Sequence, residues 1–311
     1  WGALYGGGVV RRREASYGGV VWVYKADKRS IFFMSYDFSE LKELGFQVIE
    51  NVLTDEEIDT GKNMFFNWYN LQMIGKIPHG IFKHHQIGHT AFAWYTRTRP
   101  KVQEVFRDLW NEDNLIVSFD GSCYISPDEN RKDTWWYHTD QAPNNSDFCC
   151  VQGFVTYTDN ETTTLKVMPG THLEHANYMK SRGISHIKNW QKIDKDVTYT
   201  EKVVSVKRGS LVLWDSRTFH QNQYGNGEER LVQYVCYLPR SLSSKSNLEK
   251  RKLYFQERRT TSHWPTPIRV NGLQPQTFGD KSKLIDYSLL QDHPNNTYFL
   301  TSNHYEFLKL V

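Results

Sequence analysis

The sequence predicts a mainly β fold with flanking helices, because three features of the chain favour sheets. Short apolar runs, many of them rich in β-branched or aromatic residues, recur between residues 115 and 239. Gly, Pro and Asp residues separate these runs, which is typical of turns between strands. Few segments show a helical period. Together these features indicate a closed or sandwich-like β architecture.

The first patterned elements precede this sheet region. Residues 46–50 alternate as a short strand, and Thr54 then forms a capping box with Glu57 at the start of an amphipathic helix. We expect this helix to pack on the outside of a sheet. Residues 67–83 are predicted to be a loop, and Pro100 begins a second helix with one apolar stripe.

The middle and the end of the chain complete the predicted elements. Residues 169–172 are predicted to be a turn, followed by an insertion that extends to 197 beside the mouth of the fold. The basic stretch 240–259 is interpreted as a solvated helical face, and 283–290 as a last short helix before a tail. Strands are predicted at 115–119, 122–125, 148–158, 164–168, 203–206, 211–214 and 231–238.

Composition narrows the class of protein only slightly. The chain has 311 residues and a net charge of +3, so its charge does not indicate a nucleic-acid partner. Its 10 Trp, 18 Tyr and 17 Phe supply ample apolar surface for a large core. No apolar run is long enough to span a bilayer. The four Cys lie within apolar segments, which favours free thiols in a reducing, cytoplasmic environment, with organelle targeting left open.

Residues 1–33 differ from the rest of the chain. They are Gly-rich and contain an Arg triplet at 11–13, and a Met follows at 34. We interpret them as a poorly structured or extraneous N-terminal extension, with a targeting peptide as the alternative. Residues 34–311 are predicted to form a single domain, with its core at 115–239 and a C-terminal extension at 240–311.

One stretch suggests a metal site. His138 and Asp140 are two residues apart, so on a strand both side chains face the same side of the sheet. An imidazole from His220 would complete a set of two His and one carboxylate, which suits Fe(II) and leaves three coordination positions open. Arg230, ten residues beyond His220, could grip a carboxylate of a dicarboxylic co-substrate in a two-pronged way that Lys could not match.

The order of these residues is more specific than any one of them. A His and an acidic residue two positions apart also occur at 172–174 and 304–306, so the pair alone is a weak signal. The chain resembles the phytanoyl-CoA dioxygenase-like (PhyH) family of Fe(II)/2-oxoglutarate-dependent oxygenases over roughly residues 36–239. The resemblance rests on Gly45-Phe46-Gln47-Val48-Ile49, Leu53-Thr54-Asp55-Glu56-Glu57-Ile58, His138-Thr139-Asp140-Gln141, Val151-Gln152-Gly153, Met168-Pro169-Gly170-Thr171-His172, Gly209-Ser210-Leu211-Val212-Leu213-Trp214-Asp215-Ser216-Arg217, His220 and Arg230.

The resemblance implies a fold, a reaction and a role for individual residues. The fold would be a double-stranded β-helix, the cupin-like jelly roll. His138, Asp140 and His220 would be catalytic ligands of Fe(II), while Arg230, assisted by Asn222, would bind 2-oxoglutarate. The protein would then be a dioxygenase that uses O₂ to hydroxylate a small molecule, with release of succinate and CO₂. Relatives act on acyl-CoA thioesters, amino acids and natural products, so the substrate stays unidentified.

Several alternatives stay open at this stage. Arg230 could instead form an ion pair with Glu228 or Glu229, and Arg217 is a rival anchor for the co-substrate. Asp140 favours hydroxylation, because a halogenating relative would carry a small residue at this position. A zinc-dependent hydrolase could use the same three ligands. A non-catalytic jelly-roll binding protein is the third class.

Other residues are candidates for the surroundings of the site. Three His residues at 84, 85 and 89 could line its rim, and the segment 262–265 could act as a lid. His172 is interpreted as a turn residue that could hydrogen-bond near the site. Candidate wall residues are Trp135, Trp136, Gln141 and Gln152.

Overall fold

The computed structural model describes residues 36–72, 74, 77–291 and 294–311 of the chain. Its strands are β1 Phe46–Ile49, β2 Ile81–Phe82, β3 Leu115–Val117, β4 Ser122–Ile125, β5 His138–Thr139, β6 Val151–Thr156, β7 Leu165–Met168, β8 Gln191–Lys192, β9 Lys202–Val203, β10 Leu211–Asp215, β11 Phe219–Asn222, β12 Arg230–Val235 and β13 Tyr237–Pro239. Its α-helices are α1 Ser39–Leu44, α2 Asp55–Gln72, α3 Ala91–Arg97, α4 Pro100–Trp110, α5 Thr171–Ser181, α6 Lys245–Gln256, α7 Pro294–Ser302 and α8 His304–Leu310.

Two antiparallel sheets face each other and form the predicted jelly roll. The large sheet has the strand order β1-β10-β6-β12-β4-β2, and the small sheet has the order β8-β5-β11-β7-β9. A short pair, β13 with β3, lies outside both sheets. The run predicted at 231–238 is therefore two strands, which are separated at Cys236.

The large sheet is buried on both faces, and its residues alternate between two cores. Leu211 and Leu213 of β10 pack with the helices outside the sheet. Val212 and Trp214 of the same strand pack with residues of the small sheet, such as Val167, in the interior of the jelly roll. The period of two along a strand explains this division. It also means that polar side chains on the interior face are enclosed between the sheets.

The helices α2, α3 and α4 cover the outer face of the large sheet. The predicted capping box at the start of α2 is present: the Glu57 N–H donates to Thr54 Oγ1 at 3.2 Å, and the Thr54 N–H donates to Glu57 Oε2 at 3.0 Å. The prediction that 67–83 is a loop was wrong at its start, because α2 continues to Gln72. Pro100 begins α4 as predicted.

Two further segments differ from their predictions. The turn predicted at 169–172 contains the left-handed Gly170, but Thr171 already begins α5, which forms much of the insertion. Residues 283–290 contain the end of one 3₁₀ turn, Lys281–Lys283, and all of a second, Tyr287–Leu289, rather than one helix. The predicted tail contains α7 and α8, which are held to the core by Phe307, whose ring lies 4.8 Å from that of Trp94.

The C-terminal extension belongs to the same compact unit, which spans residues 36–311. The basic stretch does form a helix, α6, but its face is not wholly solvated. Arg251 is fully buried and donates hydrogen bonds to the backbone carbonyls of Val117, Pro265, Leu310 and Val311. The predicted extension at 1–33 lies outside the described residues. Among the helices that the structure describes, none combines the length and apolar character that crossing a membrane requires.

Candidate metal centre

The two sheet partners β5 and β11 bring the predicted ligands together. His138 and His220 are directly opposite each other in the antiparallel pair, and their ring centroids are 4.4 Å apart. Asp140 lies just beyond β5, where its backbone N–H donates to the Ser216 carbonyl at 2.9 Å. Its Oδ2 is 3.7 Å from His138 Nε2 and 3.3 Å from His220 Nε2.

The three side chains can share one ion. One donor atom from each of His138, Asp140 and His220 lies within 4.8 Å of the other two. Within the described ranges, this is the one group of His, Cys, Asp and Glu side chains with that property. We call these three residues the candidate metal centre. Two imidazoles and one carboxylate on one side form the donor set that non-haem Fe(II) sites use.

Both imidazoles are held with Nε2 directed at the centre. His138 Nδ1 donates to the Trp136 carbonyl at 3.1 Å, and His220 Nδ1 donates to the Thr218 carbonyl at 2.8 Å. In each case the acceptor is two residues earlier in the chain. A proton on Nδ1 leaves the Nε2 lone pair free, and the hydrogen bond fixes the ring orientation. The sequence did not identify these two carbonyl partners.

The electrostatics of the centre favour ionised Asp140 and neutral His220. Burial would raise the pKa of the Asp140 carboxyl, but the neighbouring side chains of His263, His138 and His220 hold this pKa well below its usual value. Burial, followed by repulsion from His138, lowers the pKa of His220. A carboxylate and a neutral imidazole are the forms that ligate metals.

Two distant segments complete the shell around Asp140. Gln152 Nε2, on β6, donates to Asp140 Oδ2 at 3.0 Å. Trp264 Nε1 donates to the Asp140 backbone carbonyl at 3.1 Å, so the C-terminal extension reaches the centre, and a lid or mouth-lining role for 262–265 stays a prediction. Beside it, His263 has its Nε2 enclosed, with no hydrogen-bond partner among the described residues.

The candidate wall residues divide into two groups. Trp136 stacks on His138, with centroids 4.9 Å apart and an interplanar angle of 20°, and Gln152 contacts Asp140. Trp135 packs instead against Tyr137 in a separate core. Gln141 is occupied, because its Nε2 donates to the backbone carbonyls of Asn145 and Asp147 and its Oε1 accepts from Ser216 Oγ.

Arg230 points into the interior of the jelly roll. Its side chain is 1% exposed, with Nη1 at 3.5 Å from the Thr164 carbonyl and the guanidinium carbon 5.3 Å above the Phe154 ring. Nη2 is enclosed and has no hydrogen-bond partner among the described residues. Burial of an incompletely bonded guanidinium is costly, so this position suits an anionic ligand.

The alternative partners proposed for Arg230 are engaged elsewhere. Glu228 accepts hydrogen bonds from the backbone N–H groups of Thr162 and Thr163, and Glu229 pairs with Lys62 at 2.9 Å. The rival anchor Arg217 is also occupied, because it forms a two-pronged pair with Asp215, with atoms 2.9 and 2.7 Å apart. The ion-pair alternative for Arg230 is therefore wrong.

Asn222 lies two residues beyond His220 and is also buried. Its Nδ2 is enclosed and has no partner among the described residues. Nearby Tyr234 was missed by the sequence analysis: burial raises the pKa of its hydroxyl, and the adjacent guanidinium of Arg230 opposes that rise. Tyr234 could have been found from the period of two along β12, because it shares a face with Arg230.

The remaining candidate His residues are not brought to the centre. His89 is buried against Phe119 with ring centroids 4.8 Å apart, and its Nε2 donates to the Arg259 carbonyl. His84 hydrogen-bonds the Gly272 carbonyl. His172 lies in the first turn of α5, so its interpretation as a turn residue was wrong, and its Nε2 contacts the Lys42 carbonyl at 3.0 Å rather than a residue of the centre.

Comparison with known proteins places these observations in a family context. The profile of the family described as Phytanoyl-CoA dioxygenase (PhyH) matches residues 41–223, which is more than half of the chain. The Ava biosynthesis cluster protein O of Aspergillus versicolor is 29% identical over 200 residues, which cover 58% of this chain and 64% of that protein. A Dictyostelium discoideum protein named for the same family is 23% identical over 196 residues, which cover 50% of this chain and 56% of that protein. The chain thus spans less than two thirds of both relatives.

The solved structure of the GlcNAc-inducible gene 2 product of Candida albicans has a similar fold. The TM-score is 0.50 at 16% sequence identity, and the match covers 64% of this chain and 62% of that one. At this identity the likeness concerns the fold alone.

Proposed function

The chain belongs to the phytanoyl-CoA dioxygenase (PhyH) family, and from this premise we propose that it is an Fe(II)- and 2-oxoglutarate-dependent dioxygenase that hydroxylates a small molecule. One observation carries the proposal: donor atoms of His138, Asp140 and His220 lie within 4.8 Å of one another at the inner face of the small sheet. These residues would hold the iron. The overall reaction converts a C–H bond, 2-oxoglutarate and O₂ to an alcohol, succinate and CO₂.

The three-residue donor set is better suited to Fe(II) than to a structural zinc ion. Closed zinc sites use four protein ligands, often including Cys, whereas three ligands on one side leave positions for a chelating co-substrate and O₂. With Fe(II) and 2-oxoglutarate bound, the centre supplies the O₂ chemistry that a polypeptide lacks. Because the carboxylate of Asp140 fills the third position, the proposal is hydroxylation rather than halogenation.

The chain also has a place for an anionic co-substrate. In the part of the chain that the structure describes, Arg230 Nη2 and Asn222 Nδ2 are enclosed donors without partners, and both belong to strands that face the interior. We propose that Arg230 binds the distal carboxylate of 2-oxoglutarate and that Asn222 assists. A buried guanidinium forms strong charge-assisted hydrogen bonds with a carboxylate, since little water competes for it.

The rest of the chain would orient the ligands and exclude water. Trp136 and Thr218 accept the Nδ1 protons of the two imidazoles, and Gln152 orients the carboxylate of Asp140. Trp264 closes one side through its bond to the Asp140 carbonyl. Because these groups are already in place before the co-substrate binds, the site needs little reorganisation during the reaction.

The test is formation of succinate from 2-oxoglutarate in air. We expect the purified protein with Fe(II) to form succinate, His138→Ala to abolish it, and the matched surface variant His304→Ala to retain it. Chelation should remove the activity, and Fe(II) but not Zn(II) should restore it.

Two outcomes would overturn the proposal. Turnover of an ester or amide with Zn(II) in the absence of O₂ would identify a hydrolase on the same ligands. Binding of small molecules without succinate formation under any metal condition would identify a non-catalytic jelly-roll protein.

A further inference from the structure

The half-exposed indole of Trp190 ends a column of stacked rings that contains a candidate metal ligand. His79 lies on Trp136 with centroids 4.7 Å apart, Trp136 lies on His138 at 4.9 Å, and Trp190 follows at 6.1 Å with an angle of 29° to His138. Trp190 is 50% exposed. The column therefore ends in a half-exposed indole next to the candidate metal centre.

Strand register explains why Trp190 lies there. β8 is the edge strand beside β5, and Lys192 is the antiparallel partner of His138, while Gln191 pairs with Thr139. Trp190 precedes this pair and, by the period of two, shares a face with Lys192 and His138. If this register is continued by one residue, Trp190 lies opposite Asp140.

The segment that carries Trp190 is firmly attached to the ligand strand. The Ile193 N–H donates to the Tyr137 carbonyl at 2.7 Å, and Trp135 Nε1 donates to the Ile193 carbonyl at 2.8 Å. The Trp190 N–H donates to the Lys188 carbonyl at 2.8 Å. An exposed indole on an anchored segment gives a preformed surface, so a ligand would not have to order it.

The surroundings of Trp190 are apolar and cationic. Ile187, three residues before Trp190, is 73% exposed, so this segment has two large apolar side chains that face solvent. Lys192 is exposed, and within the described ranges no carboxylate pairs with it. Lys166, on the same sheet, is by contrast paired with Asp133 and Glu201, at 3.5 and 3.1 Å. Apolar area beside an unpaired cation fits an amphipathic anion.

We propose that the substrate of this centre carries a flat ring, which stacks on the open face of Trp190, and an acidic group, which Lys192 binds at the rim. This inference rests on the proposed function and specifies the class of substrate. A flat ring that stacks on an indole buries apolar area and gains a favourable stacking energy. A substrate ring held at Trp190 also keeps its neighbouring C–H bonds near the candidate metal centre.

The test measures binding without turnover. The protein is loaded with Zn(II) and saturating 2-oxoglutarate, so that a probe carboxylate cannot occupy the position at Arg230, and is titrated calorimetrically with 2-naphthoate. We expect Trp190→Ala to weaken 2-naphthoate at least about tenfold, since stacking and area burial are both lost, and Trp190→Phe to retain most of the affinity. Lys192→Gln should weaken it about twofold to threefold, with a smaller dependence on salt.

Probe chemistry supplies the matched comparisons. Cyclohexanecarboxylate, which is not flat, and 2-naphthylmethylamine, which is cationic, should both bind more weakly than 2-naphthoate. Tyr305→Ala removes a similarly exposed ring on α8, and Lys195→Gln removes a charge near β8, so neither should change the affinity.

The outcomes separate this inference from the proposed function. Equal affinities of the wild type and Trp190→Ala for 2-naphthoate, equal affinities for the three probes, or no binding of 2-naphthoate would overturn the inference. Titration of the wild type with 2-oxoglutarate alone tests the proposed function, and Tyr305→Ala should leave that affinity unchanged. If the wild type does not bind 2-oxoglutarate, that result would instead contradict the proposed function itself.

Discussion

The side-chain amide of Gln152 donates a hydrogen bond to the carboxylate of Asp140, with Nε2 3.0 Å from Oδ2. Gln152 belongs to β6 of the large sheet, whereas Asp140 follows β5 of the small sheet. The bond therefore joins the two sheets at the candidate metal centre. The accepting oxygen is the one that lies 3.3 Å from His220 Nε2, so Gln152 restrains the carboxylate in the orientation that faces the imidazoles.

Replacement of Gln152 by Leu should weaken metal binding while the fold persists. Loss of an orienting hydrogen bond to a ligand typically costs about 10- to 100-fold in metal affinity. The measurement is competition for Fe(II) or Mn(II) against a calibrated chelator. Gln103→Leu, which removes the same amide on α4, is the control. Equal metal affinities of the two variants would show that Gln152 has no orienting role.

Replacement of Arg230 by Lys tests the proposed co-substrate anchor. Lys retains the positive charge but loses the planar fork, so we expect 2-oxoglutarate to bind about 10- to 100-fold more weakly. The measurement is anaerobic calorimetric titration of the metal-loaded protein.

The matched control is Arg217→Lys, because Arg217 is committed to Asp215. If Arg217→Lys weakened 2-oxoglutarate binding and Arg230→Lys did not, the anchor would be Arg217 rather than Arg230.

The ligand set could be predicted from sequence because the spacing and the order of its residues along the chain are themselves informative. His138 and Asp140 are two residues apart, and the relative order of His220 and Arg230 was itself informative. The structure brings the three candidate ligands together, and their role as ligands stays a prediction.

The partners of the ligands could not be predicted, because they depend on which strands become neighbours. Gln152 and Trp264 reach Asp140 from residues 12 and 124 positions away. Sheet register decides such contacts, and a shift by one residue would turn each side chain to the opposite face. For the same reason the position of Trp190 could not be predicted, because it depends on the pairing of β8 with β5. The helices of the predicted tail were missed for a different reason: α7 has little apolar periodicity and α8 has only seven residues, so tertiary contacts such as that of Phe307 with Trp94 stabilise them.

A substitution in α2 tests how closely this helix packs on the large sheet. Ala is normally preferred to Gly in a helix by about 1 kcal/mol. At Gly61, however, an added Cβ would lie 2.1 Å from Tyr157 Cε1. The Tyr157 ring is buried, and its hydroxyl is hydrogen-bonded to Thr96 Oγ1 at 2.7 Å, so it cannot move aside easily.

We therefore expect Gly61→Ala to lower the free energy of unfolding by about 1–3 kcal/mol, which is typical of overpacking. Asn63→Ala, at an exposed position of the same helix, should be neutral or slightly stabilising. Urea unfolding followed by circular dichroism measures both. Stabilisation by Gly61→Ala would mean that the contact with Tyr157 is looser than the structure shows.

Stability should fall on mild acidification, and His89 should contribute to the fall. Burial, followed by repulsion from Arg97, lowers the pKa of His89 to about 3, whereas an unfolded His has a pKa of about 6.5. Below pH 6.5 the unfolded chain therefore takes up a proton that the folded protein does not accept, and this favours unfolding. The neutral His89 therefore has no cost to the free energy of unfolding above pH 6.5. Below that pH, its contribution lowers this free energy progressively until the pH reaches about 3.

His89→Gln removes this titration and retains an amide that can donate to the Arg259 carbonyl, the acceptor of His89 Nε2. Between pH 7.5 and pH 5 the wild type should lose about 2 kcal/mol more unfolding free energy than His89→Gln, at about 1.4 kcal/mol per pH unit below 6.5. His304→Gln, at an exposed position, should follow the wild type. Urea unfolding at several pH values measures the difference, and parallel pH profiles for wild type and His89→Gln would show that His89 is protonated without unfolding.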